Sequence, residues 1–352
     1  MPDETSDSEE ATVNVAVISG MGVCLPRRIV SNDEIAPPLD VSDEWIRTRT
    51  GIARRHRIEA GTSTSDLAAA AGRAALESAG VGTADMVLLA TSTPDRKCPS
   101  TAPEVAWRLG LGEAPALDVN AACSGFIYAL ALASSHIRSG AHASVLVIGA
   151  DCYSTIVDPA DRSTAVLFGD GAGAMVVRAG EEGEPGSLLA TTLGSDGSGG
   201  DFAAVAAGGS RLPHGARYEA AGAHHLALNG RQIYLQAIRR MSAATKSVVA
   251  AAGWAVDDLE ALVAHQANQR ILDAVGKRLG LSPGRLVGNI EDVGNTAAAS
   301  VPLAMADAAE RKCVPVGGRT ALTAFGAGLT WGAVAATWPA ATPVTSPAET
   351  RA

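Results

Sequence analysis

One cysteine in the sequence stands where a reactive thiol would be useful. Cys123 lies in DVNAACSGF, just after a short apolar run and at the start of a long helical pattern. The N–H groups at a helix N-terminus favour the thiolate, which is the nucleophilic form, and small neighbours leave room for a substrate. A free cysteine is nevertheless most often a buried and inert residue. Taken alone, Cys123 is better explained by packing.

Two more polar residues are candidates for the same chemistry. His265 ends the apolar run ALVAH, and Asn295 follows a glycine in VGNTAAASVPLA. An asparagine side chain donates a hydrogen bond without titrating. Taken singly, a histidine at a strand end is more often structural, and an asparagine beside a glycine is more often a turn residue. The reason to group these residues comes from the rest of the chain.

An internal repeat relates the segments that carry them. ESAGVGTADMVLLATS (77–92) parallels AAAGWAVDDLEALVAHQ (250–266), LDVNAACSGFIYALAL parallels EDVGNTAAASVPLAM, and TAVLFGDGAGAMVV parallels TALTAFGAGLTWGAVAA. Chance similarity of alanine-rich segments is the alternative, but three matches in the same order favour two copies of one α/β unit. Two such halves around a pseudo-twofold axis would bring Cys123, His265 and Asn295 into one pocket.

The composition and the apolar runs indicate a layered globular protein. The chain has 352 residues, of which 47% are hydrophobic and 18% are charged, and this is enough for a sizeable core. Strands such as VLLA and VLVIGA are short continuous apolar runs, which is typical of a sheet covered by helices on both faces. The net charge of −9 argues against a general nucleic-acid binder. No apolar run is long enough to span a membrane.

Cysteine usage and the acidic start of the chain predict a cytoplasmic protein. The five cysteines are widely spaced and form no CxxC pair, which fits a reducing compartment better than a disulfide framework or a zinc site. The start, MPDETSDSEEAT, lacks the basic and apolar regions of a signal peptide. The adjacent His224 and His225 have no further ligands at metal spacing, so no metal site is expected. The glycine-rich GDGAG has strand patterns on both sides, which argues against a phosphate loop.

Six motifs together resemble one family. DEWIRTRTGIARR, DVNAACSGF, DRSTAVLFGDGAGA, AHQANQRI, VGNTAAASVPLA and AFGAGLTWGA are similar to motifs of the β-ketoacyl-acyl-carrier-protein synthase III family in the thiolase superfamily. The resemblance runs from about residue 13 to residue 338. It implies the thiolase fold, a five-layered αβαβα sandwich made of two similar βαβαβαββ halves, and a homodimer. It also implies a Cys-His-Asn triad at Cys123, His265 and Asn295.

The repeat and the resemblance together predict how the chain is divided. We expect a disordered acidic tail, an N-terminal half with the nucleophilic cysteine, a loop-rich connection, a C-terminal half with the histidine and asparagine, and a second disordered tail. The predicted boundaries are 1–12, 13–185, 186–222, 223–340 and 341–352.

The resemblance also implies a reaction. Cys123 would attack the thioester of an acyl-CoA primer, with the backbone N–H groups of Cys123 and Gly328 as oxyanion hole. Malonyl-acyl-carrier protein would then lose CO₂, and neutral donors from His265 and Asn295 would hold the enolate. The product would be a 3-ketoacyl-carrier protein, in fatty-acid initiation or polyketide priming. No cofactor is expected beyond the CoA and carrier thioesters.

Further residues are implied for substrate binding. Trp45 and Arg162 correspond to the pair that holds the adenine of CoA, and Arg49 lies near the expected tunnel mouth; the simpler explanation of Trp45 is a packing anchor. Cys98 stands where many relatives have a phenylalanine that reaches into the partner's active site and forms the floor of the primer pocket. The smaller side chain predicts a primer longer or bulkier than acetyl.

Carrier-protein docking is implied for one helix. Arg270 and Lys277 are seven residues apart and face the same way, which by itself is an ordinary solvated helix face. A third commonly basic position corresponds to Leu235, for which Arg231 and Arg239 are potential substitutes.

Two other functions remain open at this level. A related enzyme could transfer the acyl group to another acceptor without condensation, although such enzymes often alter the histidine or asparagine. A non-catalytic partner subunit of a synthase would typically lack Cys123.

Overall fold

A computed structural model describes residues 15–213, 215 and 222–348. The first half runs through β1 (Val15–Cys24), β2 (Arg28–Ser31), α1 (Asn32–Ile35), α2 (Asp43–Thr50), β3 (Arg54–Arg57), α3 (Thr64–Ser78), β4 (Val87–Ala90), α4 (Ala102–Arg108), β5 (Ala116–Val119), α5 (Gly125–Arg138), β6 (Ser144–Asp151) and β7 (Gly171–Gly180).

The second half follows the same plan. Its elements are β8 (Leu188–Ser195), β9 (Ala203–Val205), β10 (Leu226–Leu228), α6 (Gly230–Ala251), β11 (Ala261–Ala264), α7 (Gln269–Leu279), β12 (Leu286–Val287), α8 (Ile290–Val293), α9 (Ser300–Glu310), β13 (Arg319–Gly326), β14 (Thr330–Thr337) and β15 (Val344–Thr345).

The two main sheets have the same topology. The first has the order β5-β4-β6-β7-β1, with the short β15 added beyond β1, and the second has the order β12-β11-β13-β14-β8. In each sheet the first three strands of that order are parallel, and the last two each pair antiparallel with their neighbour. Identical order and identical pairing confirm the internal repeat predicted from the sequence.

The helices form the remaining layers. α5 and α9 contact strands of both sheets and so lie between them, whereas α3 and α4 cover the first sheet and α6 and α7 pack together on the second. α5 has the sequence GFIYALALASSHIR, and most of its residues are buried. A helix between two sheets needs apolar residues on more than one face, which explains this pattern. The result is the predicted αβαβα sandwich.

Two of the predicted segments differ from the structure. The stretch 186–222 was expected to be a loop-rich connection, but β8 lies within it as the edge strand of the second sheet. Only Leu188 of this strand is buried, and threonines follow its first three residues in LLATTLGS, so it lacks the long continuous apolar run used to recognise the other strands.

The expected C-terminal tail is also partly ordered. The prediction of disorder for 341–352 is wrong for Val344–Thr345, which pair in parallel with β1. The N–H of Ser346 continues the pairing by donating to the Val23 carbonyl at 3.0 Å. The edge of β1 that does not face β7 supplies these hydrogen bonds, and no local sequence pattern predicts a strand at Val344–Thr345. The segment 1–12 lies outside the described residues.

Within the described part of the chain, no helix has both the length and the apolar character needed to cross a membrane.

Candidate active site

A single cavity brings the three predicted catalytic side chains together. Its volume is about 440 Å³, and Cys123, His265 and Asn295 all line it. Apolar side chains from both halves form much of the remaining wall, among them Phe168, Leu226, Leu228, Ile233, Met241 and Phe325. Residues separated by up to 172 positions (295 − 123 = 172) therefore share one largely apolar pocket.

Cys123 is presented by a tight turn at the start of α5. The 3-10 turn Ala122–Ser124 runs directly into the helix, and Ala122 adopts a left-handed conformation with φ 46°. The side chain of Asn120 accepts a hydrogen bond from the Ala122 N–H at 3.3 Å. A left-handed alanine is strained and persists only when its surroundings impose it. Cys123 therefore follows a strained backbone turn that the surrounding structure holds in place.

The second half repeats this turn with a different outcome. Ala297 has φ 48° and precedes α9, and its N–H donates to Asn295 Oδ1 at 3.0 Å. Asn295 is thus the counterpart of Asn120, and Ala298 is the counterpart of Cys123. One half of the repeat contributes a thiol and the other contributes an amide.

Asn295 is fixed so that its amide nitrogen remains available. Its N–H donates to the Leu167 carbonyl at 2.9 Å, and its carbonyl accepts from the Gly169 N–H at 3.0 Å. Gly294, with φ 69°, lets the chain enter this position, because a Cβ there would approach the Leu167 carbonyl oxygen to 3.0 Å. Since Oδ1 is already bound by the Ala297 N–H, Nδ2 is the group left to donate to a ligand.

His265 is neutral at physiological pH. The side chain is 2% exposed, and burial lowers its pKa to about 3. Its Nδ1 lies 2.6 Å from Ser300 Oγ, and that oxygen accepts the Gln266 N–H at 3.4 Å. The serine proton can therefore point to Nδ1, which assigns the ring proton to Nε2. His265 is then a neutral donor.

The Cys123 thiol is not activated by the helix terminus alone. Burial raises its pKa to about 12, and the Asp151 charge adds to the rise. A helix N-terminus contributes at most ~2 kcal/mol, or about 1.5 pKa units, which is less than the rise. Burial therefore opposes the stabilisation of the thiolate that is expected from the helix N-terminus.

The end of β13, next to the predicted oxyanion donor Gly328, reaches the cavity. Gly326 and Ala327 line the cavity, whereas Gly328 is not among its lining residues. After Ala327 the chain turns away, since the Leu329 N–H donates to the Asp196 carbonyl at 2.8 Å. A Cβ on Gly326 would lie 2.9 Å from the Cys123 nitrogen, so β13 ends directly against the nucleophile turn.

Two buried polar residues near the thiol were missed in the sequence. Asp151 ends β6 and is fully buried, and burial raises its pKa to about 6. Tyr153 lines the cavity, and its hydroxyl lies 3.0 Å from Ser92 Oγ. A charged residue at the end of the apolar run VLVIGA was the available signal for Asp151.

The residues predicted to bind CoA lie outside the cavity lining. Trp45 and Arg49 are both on α2, and the Arg49 guanidinium lies 4.4 Å from the centre of the Trp45 ring. Asn268 Nδ2 donates to the Arg49 carbonyl at 3.0 Å, which joins α2 to the start of α7. Arg162 is exposed.

The predicted docking residues are at the surface. Arg270 and Lys277 are exposed on α7, and Arg270 also lines the cavity. On α6, Arg231 lines the cavity as well, and Leu235 is 53% exposed. Arg239 is exposed and donates to Gln236.

Other predicted positions carry less information. Cys98 is exposed and does not line the cavity of the single chain. The last three residues of the GDGAG segment are the first residues of β7, so the segment leads into a strand and is not a phosphate loop. The rings of His224 and His225 are adjacent, and no group of three or more metal-ligating side chains occurs among residues 15–213, 215 and 222–348.

Comparison with known proteins gives a family. A model described as 3-oxoacyl-[acyl-carrier-protein (ACP)] synthase III matches residues 117–197, and the model of its C-terminal part matches residues 249–338. The chain is 52% identical over 329 residues to β-ketoacyl-[acyl-carrier-protein] synthase III 2 of Streptomyces coelicolor, spanning 94% of this chain and 96% of that protein. It belongs to the 3-oxoacyl-[acyl-carrier-protein] synthase III family.

Other members of this synthase III family agree. The β-ketoacyl-[acyl-carrier-protein] synthase III of Pseudomonas aeruginosa is 48% identical over 328 residues, or 93% of this chain and 98% of that one. A crystal structure from the same species has a TM-score of 0.87 at 47% identity, covering 94% and 100% of the two chains. A priming β-ketosynthase of a polyketide pathway has a TM-score of 0.86 at 35% identity, with 93% and 97% covered. The predicted family, thiolase fold and acyltransferase class are confirmed.

Proposed function

We propose that this synthase loads an acyl-CoA primer on Cys123 and condenses it with malonyl-acyl-carrier protein. The observation that carries the proposal is the cavity shared by Cys123, His265 and Asn295. A neutral histidine and an amide nitrogen beside a thiol suit a reaction that develops negative charge on a thioester oxygen. The intact histidine and asparagine favour condensation over simple acyl transfer, and the intact cysteine argues against an inert partner subunit.

In the first step, Cys123 Sγ attacks the thioester carbon of the primer. The C–S bond to CoA breaks, and CoA leaves with a proton while the acyl group stays on the enzyme. The N–H groups of Cys123 and Ala327 are the proposed oxyanion donors, with Ala327 replacing Gly328. One such donor typically lowers the barrier by about 3–4 kcal/mol.

In the second step, the malonyl group loses CO₂ and becomes an enolate. His265 Nε2–H and Asn295 Nδ2–H donate to the enolate oxygen, and neither donor has to lose a proton. The carbanion carbon attacks the acyl carbon, the bond to Cys123 Sγ breaks, and the 3-ketoacyl-carrier protein is released. Because His265 is already neutral, this step needs no protonation change at the histidine between pH 5 and pH 8.

The adenine end of CoA and the carrier protein are proposed to bind outside the cavity. Trp45, which is partly exposed and lies 4.4 Å from the Arg49 guanidinium, and the exposed Arg162 are the proposed partners of the adenine. Arg270 at the cavity and Lys277 two turns further along the same helix face are positive sites for an acidic carrier protein on a chain of net charge −9. Leu235 leaves Arg231 as the nearest basic substitute on α6.

We also propose a homodimer in which Cys98 reaches the partner's primer pocket. β5 is the edge strand of its sheet, with Leu117 on it 40% exposed, and exposed edges of this kind are normally covered. The exposed position of Cys98 in the single chain supports a role across an interface. No disulfide forms among the described residues, which supports a cytoplasmic location.

Intact-mass analysis tests the reaction. The protein is mixed with a panel of acyl-CoA thioesters, and malonyl-acyl-carrier protein is added afterwards. The expected result is a mass gain of one acyl group, absent in Cys123→Ala, that disappears as 3-ketoacyl-carrier protein forms. An acyl adduct on a residue other than Cys123, or an acyl-enzyme that never reacts with malonyl-carrier protein, would contradict the proposal. Strong preference for acetyl would contradict the role given to Cys98.

A further inference from the structure

Two hydroxyl groups join the turn that carries the nucleophile to the second half of the chain. Ser124, the residue after Cys123, is fully buried, and its Oγ donates a hydrogen bond to Thr330 Oγ1 at 2.8 Å. Thr330 is the first residue of β14 and pairs with Gly326 across the end of the β13–β14 hairpin. The two hydroxyls therefore link the Cys123 turn to the hairpin that reaches the cavity.

The same hydroxyls contact backbone carbonyl groups close to the two proposed oxyanion donors. Thr330 Oγ1 lies 3.0 Å from the Ala327 carbonyl oxygen and 2.9 Å from the Ala121 carbonyl oxygen. Ser124 Oγ lies 2.8 Å from the Ala121 carbonyl oxygen, which also accepts the Ser124 N–H at 3.1 Å. Ala121 belongs to the turn that carries the Cys123 N–H. Each of the two segments is thus held at the residue that carries its donor or next to that residue.

The number of protons decides the direction of these hydrogen bonds. Each hydroxyl has one proton to donate. If both protons pointed to carbonyl oxygens, the two hydroxyl oxygens would lie 2.8 Å apart with no hydrogen between them. When Ser124 donates to Thr330, Thr330 keeps its own proton for the Ala327 carbonyl, and Ala121 still accepts the Ser124 N–H. A continuous hydrogen-bonded path then runs from Ser124 through Thr330 to Ala327.

We propose that Ser124 and Thr330 are positioning residues for the acylation of Cys123. Neither side chain lines the cavity, so neither touches the thioester. Their hydroxyls hold the turn and the hairpin at the spacing at which the N–H groups of Cys123 and Ala327 both reach the thioester oxygen. The inference rests on the proposed function and deepens it, because these two N–H groups are its proposed oxyanion donors.

The spacing of the two segments is limited from both sides. A Cβ on Gly326 would lie 2.9 Å from the Ser124 nitrogen, so steric contact prevents the hairpin and the turn from approaching further. The hydroxyl pair prevents them from separating. Oxyanion donors must lie within about 2.7–3.1 Å of the developing oxyanion, and a displacement of ~1 Å can cost on the order of 10²-fold in rate. A small opening of this contact is therefore enough to slow acylation.

The internal repeat indicates that the Ser124 hydroxyl is not needed to form the turn itself. The corresponding turn of the second half has Ala297 at φ 48°, against 46° for Ala122, and it also leads into a largely buried helix. Two residues after its left-handed alanine stands Ala299, at the position of Ser124. The same turn therefore forms with a methyl group there. The hydroxyl occurs in the half that carries Cys123.

The test compares two reactions of the same sulfur. Acylation by an acyl-CoA, measured as CoA release in a single turnover, passes through an oxyanion, whereas alkylation by iodoacetamide displaces iodide and forms none. We expect Ser124→Ala and Thr330→Val each to lower the maximal acylation rate about tenfold, with an unchanged half-saturating concentration of acyl-CoA. The rate of alkylation should stay unchanged. It is followed on the peptide that contains Cys123, since Cys98 and Cys313 are exposed as well.

Three further variants separate positioning from general damage to the fold. Thr330→Ser keeps the hydroxyl and should restore the acylation rate that Thr330→Val loses. The double variant Ser124→Ala with Thr330→Val should be no slower than the slower single variant, because both substitutions break the same path. Thr323→Val is the matched control and should acylate at the original rate. Its buried hydroxyl donates within the same hairpin, to the Gly332 carbonyl at 3.1 Å.

Three results would overturn the positioning role. Acylation and alkylation slowed equally in Ser124→Ala and Thr330→Val would mean that the substitutions disturb Cys123 itself. Unchanged acylation in both variants would mean that the hydroxyl pair does not set the spacing. A loss confined to one of the two variants would mean that the hydroxyls act separately. If the unsubstituted protein forms no acyl-enzyme at all, the proposed function fails, and the positioning role fails with it.

Discussion

The burial of His265 has a consequence for stability that can be measured. Its pKa is about 3 in the folded chain and about 6.5 when unfolded, so between these values the unfolded chain binds a proton that the folded chain does not. The contribution of His265 to the free energy of unfolding is therefore fully present above pH 6.5 and is lost progressively as the pH falls towards 3. At pH 4.5 the loss is about 2 pKa units, or ~3 kcal/mol.

Replacing the histidine removes that loss. Urea unfolding at pH 7 and pH 4.5 gives the change in unfolding free energy for the unsubstituted protein and for His265→Gln. Asp151 works in the opposite direction, since its raised pKa of about 6 stabilises the fold on acidification, but it is common to both proteins and cancels in the difference. We expect His265→Gln to lose ~3 kcal/mol less than the unsubstituted protein.

The control is Ser247→Ala, an exposed position on α6 outside the cavity lining that changes no titratable group. It should follow the unsubstituted protein at both pH values. Equal losses in His265→Gln and the unsubstituted protein would refute the reasoning, because they would mean that the imidazole is protonated as easily in the folded chain as in the unfolded one.

Three further outcomes follow from contacts at the site. Gly326→Ala should slow acylation, measured by CoA release, at least about tenfold. The reason is that a Cβ at this position meets the Ala121 carbonyl oxygen at 2.7 Å and the Cys123 nitrogen at 2.9 Å. An unchanged rate would show that the turn carrying Cys123 can move. Ser300→Ala should slow condensation about tenfold, which is equivalent to the loss of one hydrogen bond to His265. A condensation rate equal to that of the unsubstituted protein would show that Ser300 does not set the tautomer of His265. Both variants should keep the far-ultraviolet circular dichroism of the parent. Raising the salt concentration should increase the KM for carrier protein more than that for acyl-CoA if docking is electrostatic, and a salt-independent KM would exclude the basic surface.

The repeated architecture could be predicted because its signals are local. Each half carries its own apolar strands and its own Asp-Val segment before the buried helix, so these matches sufficed to predict two similar halves. The third match was misleading, because only Phe325-Gly326 lies in a hairpin, whereas the residues before Phe168 form turns. β8 was missed because this largely exposed edge strand, LLATTLGS, has only a short apolar run before its threonines. The short strand Val344–Thr345 was missed because its pairing depends on β1, more than 300 residues away (344 − 22 = 322).

The amino-acid sequence by itself determined the family, the two-half sandwich and the three side chains that meet in the cavity. Only the tertiary structure decided how deeply these side chains are buried, that Ala327 and not Gly328 lines the cavity wall, and that Asp151 and Tyr153 lie buried on the same side of the fold. The physical reason is that burial and hydrogen bonding depend on everything packed around a group. Those neighbours come from both sheets, and no local stretch of sequence contains them.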